Sequence, residues 1–192
     1  MNFEFIKSEI EKIAVFSQKD WELFSSFIEP HTLRKKEFLF SEGDVVKYLA
    51  FVQKGCIRYY LNDNKGDEHI VYFGFEGWWV GDMNSFFNRK PTIYYLQALE
   101  DTDLFMFNRE NFTYAIENTT YGEFFREITK RSYMSMQKRY AESNTKSAEE
   151  KYLELLEKNP QIIQRIPQHY IASYLGIKPE SLSRIRNKIS GK

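Results

Sequence analysis

A change of hydrophobic period is the feature that most constrains the fold of this 192-residue chain. Before His31 the apolar residues recur every three or four positions, as they do on one face of a helix. After His31 they recur at about every second position, and this continues for roughly eighty residues. Because successive side chains of a strand point to opposite faces, the pattern predicts a β body preceded by helices.

Two helices are predicted ahead of the β body. The first covers residues 3–13, where four apolar side chains share one helical face. The second begins with a capping box formed by Ser17 and Asp20 and ends at Pro30, which cannot continue a helix.

Short strands bounded by turn residues fill the β body. Antiparallel strands separated by glycine-containing turns predict a jelly roll or a small barrel, and no alternation of strands with helices indicates a parallel sheet. The predicted strands are residues 33–40, 48–53, 56–61, 68–75, 94–99 and 103–107.

The C-terminal stretch, residues 168–188, predicts two short helices that cross at a tight turn. Ala172 allows a close crossing, and Gly176 supplies the left-handed conformation that the turn needs. Pro179 and Glu180 both suit the first turn of the second helix. The pattern is typical of a helix-turn-helix.

Charge is concentrated at the same end of the chain. Residues 161–192 hold six basic and one acidic residue, a net charge of +5, so residues 1–160 carry a net charge of −5. Any amphipathic helical hairpin can have a solvated charged face, and this interpretation stays open. The basic end favours a surface that binds a polyanion.

A long helix is predicted from residue 121 to about residue 140. Two interpretations fit its apolar stripe: the helix packs on the β body, or it forms a seam with a second copy of the chain. Ser147 and Glu150 form a further capping box and begin the next helix. The stripe consists of Phe125, Ile128, Ser132, Met136 and Tyr140.

This order of parts resembles the CRP/FNR-type transcription factors, the catabolite activator and fumarate–nitrate regulator family, over nearly the whole chain. The resemblance implies an α+β fold with N-terminal helices, an antiparallel jelly roll of the cyclic-nucleotide-binding type, a long central helix and a helix-turn-helix. The domains expected are 1–118 for the effector, 119–143 for dimerisation and 144–192 for DNA binding. The motifs are Phe40-x-x-Gly43-Asp44, Tyr48 to Gly55, Gly81-Asp82, Leu99-Glu100 and the C-terminal hairpin.

The resemblance implies a homodimer whose two recognition helices enter successive major grooves of double-stranded DNA. Glu180 and Arg184 match base-contacting positions of the family, while Pro179 replaces an arginine and implies a different site. The chain stops at Lys192, where relatives often continue into a β-hairpin wing, so no wing is expected. The expected DNA-binding residues are His169, Pro179, Glu180, Ser181, Ser183, Arg184, Arg186 and Lys188.

The resemblance also implies an effector pocket in the roll. Thr92 and Ile93 stand where cyclic-nucleotide-binding members have an arginine and a small polar residue, and Asp82 is shorter than their glutamate. Burying a phosphate without a guanidinium is costly, so cyclic AMP is not expected to bind tightly. The expected pocket residues are Gly81, Asp82, Arg89, Thr92 and Ile93.

Other chemistries find little support in the sequence. A single cysteine, Cys56, excludes an internal disulfide and a multi-cysteine metal centre, and it is expected to be a small buried hydrophobic residue. The three histidines, 31, 69 and 169, are far apart in the sequence. No nucleophile–base pair, P-loop or dinucleotide fingerprint is present. We therefore expect neither an enzyme nor a metal site nor a cofactor.

The remaining expectations concern location and partners. No export signal or long apolar stretch is visible, so a cytoplasmic protein without membrane contact is expected. RNA polymerase and an unidentified small-molecule effector are further candidate partners. The alternative is a small-molecule-binding or cupin-type β-roll whose helical tail binds a protein. Cupin enzymes need clustered histidines, and here only His69 is expected inside the roll.

Overall fold

The computed structural model describes residues 2–189, except the side chain of Asn144. Its helices are α1 (Glu4–Glu11), α2 (Gln18–Ser26), α3 (Met83–Asn88), α4 (Arg109–Asn118), α5 (Tyr121–Thr145), α6 (Ala148–Lys158), α7 (Ile162–Arg165), α8 (Gln168–Leu175) and α9 (Pro179–Ile189). Its strands are β1 (Glu29–Leu33), β2 (Phe38–Phe40), β3 (Tyr48–Lys54), β4 (Ile57–Asn62), β5 (Glu68–Gly74), β6 (Trp79–Val80), β7 (Tyr95–Ala98) and β8 (Thr102–Asn108).

The strands form two antiparallel sheets, which confirms the predicted jelly roll. The first sheet has the order β1-β8-β3-β6, and the second sheet has the order β2-β7-β4-β5. Residues of both sheets share one apolar core, in which Phe51 pairs with Phe105 across the first sheet and Tyr59 with Leu96 across the second. Non-consecutive neighbours in both sheets mean that the chain crosses between them repeatedly.

Helices that precede and follow the roll in the sequence complete its core. Phe24 of α2 stacks on Phe107 of β8, with ring centroids 5.0 Å apart. Tyr121, at the start of α5, is fully buried and packs on Phe24 and Phe112. Buried aromatic side chains contribute much of the apolar area removed from water, so these helices are part of the packed body of the roll.

The predicted helix starts at Ser17 and Ser147 are confirmed. Ser17 and Asp20 form a capping box at α2, and Ser147 and Glu150 form another at α6. In each case a serine side chain accepts from a backbone amide that the helix cannot pair, and the acidic side chain accepts from the serine backbone amide.

The strand predicted over residues 33–40 is wrong. The chain turns at Lys36, whose φ of 74° is left-handed, so β1 and β2 are separate strands in different sheets. Side-chain carboxylates form this turn, because Glu37 accepts from the Arg34 amide and Asp101 accepts from the Lys35 amide. Hydrophobic period alone does not report such bonds from side chains to the backbone.

Three short elements had no counterpart in the prediction: β6, α3 and α7. The start of α3 follows from Asp82, whose side chain accepts from the backbone amides of Asn84 and Ser85. Elements of two to six residues are too short to show a period, so only the capping residue could have signalled α3.

The C-terminal helices share a second apolar core with the outer face of the roll. Tyr152, Ile162 and Leu182 belong to this cluster, and so do Tyr60 and Phe73 of the second sheet. Helix α8 lies against β5. The helical domain therefore packs directly on the second sheet.

Candidate functional site

The turn between α8 and α9 has the expected geometry. Gly176 adopts φ 70° and caps α8, with its amide donating to the Ser173 carbonyl at 3.0 Å. The Ile177 amide donates to the Ala172 carbonyl, also at 3.0 Å. Since L-residues with a Cβ rarely adopt this conformation, the glycine fixes the angle at which the two helices meet.

Four buried side chains hold the helix pair together and leave one face of α9 in solvent. The buried residues are Ile171, Ala172, Leu175 and Leu182. Of the predicted DNA-binding residues, His169, Pro179, Glu180, Ser183, Arg184 and Lys188 are exposed, while Ser181 and Arg186 are half-buried.

Two of the basic side chains on α9 lie against the other C-terminal helices. Lys188 forms an ion pair with Glu149 of α6, with Nζ 2.7 Å from Oε2. Arg186 lines a groove of about 490 Å³ between α9 and the preceding helices. Arg184 and Glu180 stay exposed on the helix surface. Together with His169, Pro179 and Ser183 they belong to the exposed part of the predicted DNA-binding set.

In the roll, the predicted pocket residue Asp82 is buried and engaged by its own neighbours. Its Oδ1 accepts from the Asn84 amide at 2.9 Å and from the Ser85 amide at 3.3 Å, and its Oδ2 accepts from the Thr92 hydroxyl at 2.7 Å. The structure thus brings Asp82 and Thr92 together. Three donors already satisfy this carboxylate, which leaves it little capacity to bind a ribose hydroxyl.

The other predicted pocket residues lie around this pair. Gly81 has φ 148°, a conformation that residues with a Cβ rarely adopt, and an added Cβ would lie 2.6 Å from a methyl carbon of Leu49, so a larger residue would strain the backbone and displace Leu49. Arg89 caps α3 in the left-handed conformation with its side chain exposed, and Ile93 is also exposed. Neither side chain joins the buried pair.

A tyrosine cluster, formed by Tyr59, Tyr72 and Tyr94, was missed by the sequence reasoning. Tyr59 stacks on Tyr72 with ring centroids 4.6 Å apart and on Tyr94 at 4.5 Å. Burial raises the pKa of Tyr59 well above its ordinary value, and the nearby Tyr72 and Asp82 raise it further, so the phenol stays neutral. The cluster places stacked rings beside Asp82, where the resemblance implied an effector.

The long helix α5 has two different halves. In the first half, Phe125 packs on Phe112 with centroids 4.7 Å apart, and Ile128 also packs against the roll's core. These two members of the predicted stripe therefore contact the chain's own body. From residue 129 to residue 141 every side chain is exposed, including the stripe members Ser132, Met136 and Tyr140.

The histidines and the cysteine have separate surroundings. The expectation that His69 lies inside the roll is wrong, since its side chain is half-exposed and pairs with Asp63 at 3.1 Å. Cys56 is fully buried, as expected, and burial raises the pKa of its thiol to about 12. Within residues 2–189, no three histidine, cysteine, aspartate or glutamate side chains are grouped to hold a metal ion.

Comparison with known proteins identifies the roll. Residues 30–119 match the family described as cyclic nucleotide-binding domain. A comparison with curated proteins gave no match. Across the described chain, no helix combines the length and the apolar character needed to cross a bilayer.

Solved structures share the fold over most of the chain. The c-di-GMP-responsive global regulator CLP of Xanthomonas campestris has a TM-score of 0.70 at 14% identity, covering 91% of this chain and 92% of that one. FixK2 of Bradyrhizobium japonicum has a TM-score of 0.69 at 18% identity, covering 85% of each chain. The catabolite activator protein of Thermus thermophilus has a TM-score of 0.57 at 19% identity, covering 91% and 84%.

Proposed function

Because residues 30–119 belong to the cyclic nucleotide-binding domain family and the chain has the fold of CRP/FNR-type regulators, we propose that this protein is a sequence-specific DNA-binding transcriptional regulator. The observation that carries the proposal is the exposed polar face of α9, which follows the Gly176 turn and rests on a buried helix-pair core. A helix presented in this way fits the major groove of B-DNA.

The chemistry of that face supports base recognition. Arg184 can donate two parallel hydrogen bonds to a guanine, and Glu180 can accept from a cytosine amino group, each contributing about 1 to 3 kcal/mol of discrimination. The net charge of +5 on residues 161–192 adds attraction to phosphates that is independent of sequence.

We propose a homodimer as the DNA-binding form. The exposed half of α5 carries Tyr133, Met136 and Tyr140 at spacings of three and four residues, which repeat on one helical side. These side chains are exposed, and pairing with a second α5 would bury this apolar side and so stabilise both helices. The pair would also place two α9 helices around a two-fold axis.

The effector, if the roll binds one, is proposed to differ from cyclic AMP. The Asp82 carboxylate is bonded to Thr92, the tyrosine cluster lies beside it, and Arg89 is at the surface. A cyclic phosphate would lose its hydration there without a buried guanidinium as partner. We expect calorimetry to detect no binding of cyclic AMP at micromolar concentration, and a micromolar dissociation constant would refute this part of the proposal.

Selection of genomic DNA fragments on the purified chain tests the function. We expect enrichment of a two-fold symmetric motif by the wild type and its loss with Arg184→Ala. Lys19→Ala is a matched control, since it removes one positive charge from the exposed surface of α2, far along the chain from α9, and should leave the enrichment unchanged. Equal enrichment by both variants would refute the assignment of α9 as the recognition helix.

The alternative, a helical tail that binds a protein partner, predicts a different salt dependence. Release of counterions makes DNA binding fall steeply with salt, by a power set by the number of phosphates contacted. A shallow dependence, together with no enriched motif, would favour the protein partner.

A further inference from the structure

The tyrosine cluster and the C-terminal helices lie on opposite faces of the second sheet. On β4, Tyr59 points into the roll's core, while the next residue, Tyr60, belongs to the core shared with the C-terminal domain. On β5, Tyr72 packs inward, and Ile70 and Phe73 pack outward. The same two strands therefore carry Tyr59 and Tyr72 on one face and contact α8 with the other.

Helix α8 completes the hydrogen bonding of β5, which is an edge strand of the second sheet. The Ser173 hydroxyl accepts from the Ile70 amide at 3.1 Å and donates to the Glu68 carbonyl at 2.7 Å. An edge strand presents unpaired backbone groups, and one serine here satisfies two of them. This fixes the position of α8 along β5.

Arg58 of β4 contacts α8 across the interface between the second sheet and the C-terminal helices. Its guanidinium lies between two rings, 4.0 Å from the centroid of Tyr60 and 4.1 Å from that of Tyr170 on α8. It also forms a two-pronged ion pair with Glu68 and donates to Gln97 at 2.8 Å. At 4% exposure, this charge needs all of these partners, so removing α8 would leave it underpartnered.

Two further arginines, on helices α5 and α7, contact the same interface. Arg165 of α7 lies over Phe75 and forms hydrogen bonds with Glu76 at 2.8 and 2.9 Å and with Glu100. Arg139 of α5 lies over Tyr174 of α8 at 4.3 Å and donates to the Val71 carbonyl of β5.

We propose that Arg58, Arg139 and Arg165 form an interdomain clamp that holds α8 on the second sheet and couples the tyrosine cluster to the orientation of α9. Displacing Tyr59 or Tyr72 moves β4 and β5. These strands carry Arg58 and the Val71 carbonyl that accepts from Arg139, and β5 leads directly into Phe75 and Glu76, which contact Arg165. The coupling runs across one sheet within a single chain. Only its effect on DNA reading rests on the function proposed above.

Amide hydrogen exchange of the full chain tests the clamp without DNA. We expect Arg165→Gln to speed exchange of the Ile70 amide and of residues 168–175 by about tenfold or more, since charge-assisted bonds across the boundary are lost. Arg131→Gln is the matched control, because Arg131 pairs with Glu127 on the exposed surface of α5 and should change neither. Unchanged exchange in Arg165→Gln would overturn the clamp.

The coupling is tested with two aromatic-to-leucine variants. Tyr72→Leu opens the tyrosine cluster on the second sheet, while Phe105→Leu removes a comparable ring from β8 on the first sheet. We expect Tyr72→Leu to speed exchange over residues 168–175 several-fold more than Phe105→Leu does. Equal effects of the two variants on α8 would overturn the coupling.

The two proposals fail separately. If Arg165→Gln releases α8 and the wild type enriches no DNA motif, the clamp holds and the regulatory function fails. If a symmetric motif is enriched and α8 exchange does not respond to Arg165→Gln, the clamp fails and the regulatory function holds.

Discussion

Gly55 closes the tight connection between β3 and β4. Its φ is +103°, and an added Cβ would lie 2.4 Å from the Thr102 hydroxyl and 2.8 Å from the Thr102 Cα. We predict that Gly55→Ala lowers the free energy of unfolding by at least about 2 kcal/mol, from backbone strain and a backbone clash together. Urea unfolding measures this.

Gly66 is the matched control for that substitution. It also has a positive φ, +85°, but no atom lies within 4 Å of an added Cβ. Gly66→Ala should therefore cost only the strain of the left-handed conformation, about 1 to 2 kcal/mol. A smaller cost at Gly55 than at Gly66 would contradict the packing described for the β3–β4 turn.

Glu76 links acid stability to the contact with α7. Burial alone would raise its pKa, but hydrogen bonds from Arg165 and the Gly55 amide outweigh burial and hold the pKa below its usual 4.5. The groups around it are Arg165, Glu100 and the Cys56 thiol. Its stabilising contribution is present above the unfolded-state pKa and is lost as the pH falls through the lower folded-state pKa.

We predict that Glu76→Gln loses less stability than the wild type on acidification from about pH 6 to about pH 3. The variant starts less stable, because an amide cannot replace the ion pair with Arg165. Urea unfolding at several pH values gives both curves. Parallel curves over this range would show that Glu76 does not carry the linkage.

Residue-level prediction succeeded where the sequence alone determines the environment. Gly176 was assigned from its turn and Cys56 from its strand, and both are as expected. The stacking of Tyr59 on Tyr94 was not found, because it depends on strands that pair across the chain. Asp82 was considered as a ligand group, whereas locally it caps α3 and binds Thr92.

Among the elements, α5 carries two exposed methionines. Substituting each of them distinguishes an effect on helix pairing from an effect of changing any exposed side chain. Met136 lies on the same side of the helix as Tyr133 and Tyr140, and Met134 lies about 160° away from Met136 around the helix. Both are exposed, at 65% and 58%. We predict that Met136→Glu weakens the homodimer at least about tenfold in sedimentation experiments, since a charge would be buried at the seam.

Met134→Glu should leave the dimer close to wild type, because its side chain stays in solvent. Loss of the dimer with Met134→Glu but not with Met136→Glu would place the seam on the other side of α5. A wild type that is monomeric at high concentration would reject pairing through α5.

Helices were predicted better than short strands for a physical reason. Capping boxes and a 3.6-residue period are local, so α2 and α6 were placed from their own residues. The division of residues 33–40 into two strands depends on Asp101, which is distant in the sequence. Local patterns contain no information on such a bond.

For the whole molecule, no pattern in the sequence indicated that the C-terminal helices pack on the roll. The contacts of Arg58 with Tyr170 and of Arg165 with Glu76 join residues about ninety or more positions apart. A buried arginine cannot be told from a surface arginine in a strand with mixed polarity. The order of the parts was predicted, and their mutual arrangement was not.

The proposed homodimer is expected to read a two-fold DNA site through α9. The most direct measurement is the affinity for the selected motif before and after insertion of about 5 base pairs, half a helical turn, between its half-sites. We predict that the insertion reduces affinity to the non-specific level, because the half-sites then face opposite sides of the duplex. Undiminished affinity, with one chain bound per half-site, would contradict dimeric recognition.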